Sequence, residues 1–109
     1  EALKAHALLK SKFKINTAVI DLYCIKPLNI KKLIQFIKQH GNRVVIAEDH
    51  YKAGGIGEML AEEFSNADAN IKMKHLYISQ IPHSGTTSQL LEKYKINWRH
   101  IALQARLFK

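Results

Sequence analysis

Glu48, Asp49 and His50 place two carboxylates and an imidazole side by side in this chain. Several titratable groups gathered at one point are what acid–base chemistry needs. Gly54, Gly55 and Gly57 follow closely, with Glu58 next. A glycine turn leading into a helix is how backbone amides cradle a phosphate.

Neither chemistry is complete. Glu48 and Asp49 are neighbours on what reads as a strand, so they point to opposite faces and cannot act on one substrate atom together. Asp49 or His50 bonding to the free amides of the glycine turn is the more natural role. The dinucleotide fingerprint G-x-G-x-x-G fails at its third glycine, where Leu60 stands, and no Gly-Lys-Ser/Thr follows. Glu58 at the start of the helix would oppose a bound phosphate and suits the positive helix end itself. The glycines therefore read as backbone devices for unusual angles and close packing. The six histidines contain no close-spaced pair such as H-E-x-x-H, and no Gly-x-Ser-x-Gly nucleophile context occurs.

The elements that must position this stretch can be read from its surroundings. Val44 to Ala47 is a nearly unbroken apolar run, the mark of a strand covered on both faces. The expected strand is Arg43–Glu48, internal to its sheet, followed by a helix over Gly57–Ser65. Upstream, Glu1–Lys12 reads as an amphipathic helix. Ile15–Leu22 reads as a strand, and Asn29–Gln39 as a helix with Asn29 as its cap. Ile30, Leu33, Ile34 and Ile37 form its apolar stripe, and Gly41 is its left-handed stop. Downstream, Ile71–Ile78 is a strand with Met73, His75 and Tyr77 alternating against Lys72, Lys74 and Leu76, as at a sheet edge. Thr86 with Gln89 forms a capping box opening a short helix to Tyr94, and Asn97 caps a last helix from Trp98 to about Phe108.

Apolar runs alternating with capped helices predict a three-layer α/β/α domain. Its mostly parallel sheet is built from Ile15–Leu22, Arg43–Glu48 and Ile71–Ile78, with right-handed crossovers. An α/β unit should begin with a strand, so the chain reads as cut from something longer, its leading strand missing.

Composition narrows the function. The 109 residues suit one domain, spanning 1–109, and 47% are hydrophobic, enough for a core. The apolar runs are too short to span a membrane, and Glu1-Ala2-Leu3-Lys4 does not open a signal peptide. The single cysteine, Cys24, fits a reducing, cytoplasmic setting and is expected as a small buried side chain. The net charge of +8 raises nucleic acid as a partner. However, 14 of the 17 basic residues are Lys, scattered along the chain, and only three are Arg, which bidentate phosphate and base recognition favours. No nucleic acid partner is expected.

Glu48-Asp49-His50-Tyr51-Lys52-Ala53-Gly54-Gly55-Ile56-Gly57-Glu58 closely resembles the E-D-H-Y-x-x-G-G-I-G-E segment of animal-type transketolases. Asp21 with Ile25-Lys26-Pro27-Leu28 resembles the family's D-x-x-x-I-K-P-L. Ile81-Pro82-His83-Ser84-Gly85 with Leu90-Leu91 resembles its V-P-x-S-G-x-x-x-x-L-L, and Lys95-Ile96 its closing G-I. His83 and Thr86 stand where the family often has basic residues, and Lys95 where it has glycine. The resemblance covers only the third, C-terminal domain of that enzyme.

It implies a homodimeric enzyme that moves a two-carbon ketol unit between sugar phosphates with thiamine diphosphate and a divalent metal (Mg or Ca). Cofactor and sugar-phosphate sites then lie in the preceding domains of the same chain. No catalytic, cofactor or metal residue is carried over here, and the piece alone is expected to be inactive. Glu48, Asp49, His50, Gly54, Gly55, Gly57 and Glu58 are expected to form a structural turn or interface. Two other readings stay open. One is the same terminal domain in another thiamine-dependent enzyme, a deoxyxylulose-phosphate synthase or a ketoacid dehydrogenase subunit, which share Lys26-Pro27-Leu28. The other is an independent anion- or nucleic-acid-binding module.

Overall fold

A computed structural model describes residues 1–108. Its elements are α1 (Ala2–Phe13), α2 (Ile30–Gln39), β1 (Arg43–Tyr51), α3 (Ile56–Asn66), β2 (Lys72–Ile78), α4 (Thr87–Lys93) and α5 (Trp98–Arg106). β1 and β2 pair in parallel, with Arg43 opposite Lys72 and Ile46 opposite His75, and an irregularity between Ala47 and Tyr51.

Side-chain alternation along the strands divides the core into layers. Val44 and Ile46 of β1 and Met73 of β2 face α2 and α3, packing with Ile37, Leu60, Phe64 and Ala69. Val45 and Leu76 face the other way, against Ala5 and Leu9 of α1 and Ile101 and Ala102 of α5. Tyr94 and Ile96 pack on Ile78 and hold α4 at the end of β2. The domain is thus α/β/α in three layers, with a parallel sheet.

Local signals set the helix ends. The Asn29 side chain accepts the Lys32 N–H at 3.0 Å and caps α2. Gly41 has φ +97°. Its N–H bonds to the Lys38 carbonyl at 3.3 Å, and that of Asn42 to the Ile37 carbonyl at 3.2 Å. Together these two bonds form a Schellman ending. Thr86 and Gln89 form the expected reciprocal capping box on α4, and Asn97 caps α5 by accepting the His100 N–H at 3.1 Å.

Three expectations are corrected. Ile15–Leu22 is not a strand, and residues 16–22 make no backbone–backbone hydrogen bond among the described residues. A strand exists only through a neighbouring edge, and this segment has none here. It is held instead by side chains: Ile15 packs with α1 and α5, Leu22 packs on the opposite cluster, and Thr17 Oγ1 meets His6 Nδ1 at 2.9 Å. Consequently β1 is not internal. Its one ladder partner among the described residues is β2, although both its faces are covered. Cys24 is exposed rather than buried, because residues 23–27 lie outside the three apolar clusters, between Leu22 and Leu28, which pack on one of them.

Candidate functional site: a glycine turn closed by a buried carboxylate

Ile46 faces α3, so period-two alternation puts Glu48 on the same side, two residues nearer the end of β1. Its side chain is buried, 6% exposed, and it reaches the start of α3. Oε2 accepts the Ile56 N–H at 2.7 Å, and Oε1 accepts the Gly57 N–H at 3.0 Å. Oε1 also forms a short hydrogen bond with His75 Nε2. The residue at the cap position of α3, Gly55, has no side chain to offer. The free amides of a helix N-terminus need an acceptor, and here a strand carboxylate supplies one from eight and nine residues upstream. Its negative charge also meets the positive end of the helix dipole.

The glycines fit this arrangement in two ways. Gly54 has φ +73° and open space around it, so the turn needs its backbone angle. Gly55 and Gly57 are instead required for close approach. A Cβ on Gly55 would lie 2.5 Å from Glu48 Oε1, and a Cβ on Gly57 2.3 Å from His75 Cε1. Glu58 accepts the Gly54 N–H, closing the turn from its far side.

Burial alone would push the Glu48 carboxyl upward in pKa. The Gly57 and Ile56 amides and the His75 ring outweigh it and hold the group below its ordinary 4.5. The carboxylate is therefore ionised and committed to three donors inside the fold.

Asp49 and His50, expected to brace the turn, do not take its amides. Both are exposed, and His50 Nδ1 lies 2.8 Å from the carbonyl oxygen of Tyr51. The opposite-face rule separated Glu48 from Asp49 correctly, but the bracing belongs to Glu48, whose parity matches Ile46. His75 belongs to the site although no sequence motif marks it. Its signal was the alternation in β2 that puts it on the face of Met73, yet only the parallel register brings it beside Glu48. The His75 ring in turn lies against Tyr77, centroids 4.8 Å apart.

Among the described residues, no three His, Cys, Asp or Glu side chains form a group able to hold a metal ion. A shallow groove beside α2, lined by Lys31, Ile34, Gln35, Lys38, Gln39 and Ala67, includes neither Glu48 nor the glycines. In the loop after β2, the His83 N–H donates to the Tyr94 hydroxyl at 2.8 Å, which fixes the loop to α4. No helix among the described residues is long and apolar enough to cross a membrane.

The family model described as transketolase, C-terminal domain, matches residues 1–101. Human transketolase-like protein 2 is 42% identical over 101 residues, 93% of this chain and 16% of its own length. Human transketolase is 38% identical over 106 residues, 97% of this chain and 17% of its own. Mouse transketolase-like protein 1 is 40% identical over 106 residues, 97% of this chain and 18% of its own. The chain thus spans less than a fifth of the length of these relatives.

Proposed function

The chain belongs to the transketolase C-terminal domain family, and from that premise we propose that it is the structural, dimer-supporting domain of a transketolase. The whole enzyme would transfer a two-carbon ketol unit from a ketose phosphate to an aldose phosphate. Residues 1–109 would form its last domain, joined to upstream domains of the same chain in a cytoplasmic homodimer.

One observation carries the structural part of the proposal. The most distinctive segment, Glu48 to Glu58, turns its buried carboxylate and its close-packed glycines inward. Glu48, the buried carboxylate of the segment, has both oxygens occupied and is not free to take a proton from a substrate. Thiamine diphosphate and a divalent cation do not fit this site, where Glu48 is committed to amides and imidazole. We assign them, with the sugar phosphates, to segments outside these 109 residues. Exposed Val19, Ile20, Tyr23 and Ile25 support contact with other parts of a longer protein. The dispersed lysines support no nucleic acid partner.

The test is direct. The 109-residue chain, mixed with thiamine diphosphate, Mg²⁺ and a ketose and aldose phosphate pair, is expected to transfer no ketol unit. It is also expected to bind no thiamine diphosphate by calorimetry. Turnover or saturable cofactor binding would overturn the assignment.

A further inference from the structure

The three donors on Glu48 come from two different elements, the start of α3 and the middle of β2, while the acceptor sits near the end of β1. One ionised side chain therefore joins the sheet to the helix that follows the glycine turn. The amides it holds have no helical acceptor of their own, because they lie in the first turn. Farther along α3, Leu60 and Phe64 are buried in the core and need no such tie. α1 and α5 pack on the opposite face of the sheet with a separate apolar cluster.

We propose that Glu48 and His75 form an acid-released clasp: neutralising the Glu48 carboxylate frees the Lys52–Gly55 turn and the first turn of α3 from the sheet, while the α1–α5 layer stays folded. A neutral carboxyl gives up the charge-assisted bonds to both amides and to the ring. Among the described residues, no second carboxylate stands ready to replace it. On β1, Asp49 is exposed and points to the other face, and His50 lies against the Tyr51 carbonyl. On α3, Glu58 is committed to the Gly54 amide. On β2, His75 is flanked by Tyr77, with Lys52 from the turn 5.9 Å above the Tyr77 ring. On α2, the charged groups are Lys31, Lys32 and Lys38, all exposed.

The direction with pH follows from linkage. Glu48 is held below its ordinary 4.5 in the closed form. Its contribution is complete above that value and is lost as the pH falls from there through the closed-form pKa.

NMR-detected hydrogen exchange on the 109-residue chain, corrected for intrinsic rates, tests this between neutral pH and about pH 3.5. Protection of the Ile56 and Gly57 amides should fall below pH 4.5, by up to about tenfold per pH unit for one proton. Ile101 and Ala102 should keep their protection over the same range. In Glu48→Gln, the Ile56 and Gly57 amides should be poorly protected and insensitive to pH. In His75→Gln, which keeps the carboxylate, the fall should begin at the same pH but be smaller and level off at higher pH, because the ring no longer lowers the closed-form value. If Glu48→Gln does not fold, the unsubstituted chain and His75→Gln decide. Loss at Ile56 and Gly57 in step with Ile101 overturns the clasp, as does an unchanged profile in either variant.

Discussion

At Glu48 and Asp49, adjacent carboxylates have opposite fates, and the difference is a matter of parity along one strand. Glu48 shares the face of Ile46 and ends up buried against two amides and an imidazole, whereas Asp49 is exposed. Glu48→Ala should therefore lower stability by about 1–3 kcal/mol, the cost of leaving buried donors without their acceptor. Asp49→Ala should stay within about 0.5 kcal/mol, as exposed substitutions do. Urea denaturation of the two variants checks the contrast, and equal losses would mean the burial is misassigned. Gly55→Val should cost roughly 1–3 kcal/mol for overpacking, because its Cβ would meet Glu48 Oε1 at 2.5 Å. The same denaturation series measures it, and a neutral effect would show that the carboxylate can move aside.

At the scale of elements, what could be read in advance was local. The Asn29 cap, the Gly41 stop and the Thr86–Gln89 box each rest on residues within a few positions of one another, and each forms as expected. The alternation in β2 likewise shows which residues face α3. What depends on a distant partner was not legible. Ile15–Leu22 has the composition of a strand but no edge to pair with, so it forms no ladder. His75 meets Glu48 across 27 positions of sequence, through a register that no local pattern encodes. β1 carries the load between the helical layers, since Val44 and Ile46 face one and Val45 the other. Ile46→Asp should therefore abolish folding, because an unpaired buried charge costs several kcal/mol. Loss of the cooperative thermal transition by circular dichroism is the expected result, and a retained transition would contradict the layered core.

For the whole molecule, the family and the fold agree. A stretch as distinctive as Glu48–Glu58 invites a catalytic reading, yet Glu48 joins β1 to α3 and β2, and Glu58 closes the turn on Gly54. That is architecture. The central claim of the proposed function is that this segment would support a whole transketolase's assembly and take no part in its reaction. Steady-state kinetics beside sedimentation velocity on the full-length enzyme carrying Glu48→Gln tests it most directly. The predicted result is a dimer that dissociates more readily or inactivates at lower temperature, with turnover per folded dimer within about twofold of the unsubstituted enzyme. A fall in turnover of about a hundredfold, with dimer and fold intact, would place chemistry in this domain and contradict the account.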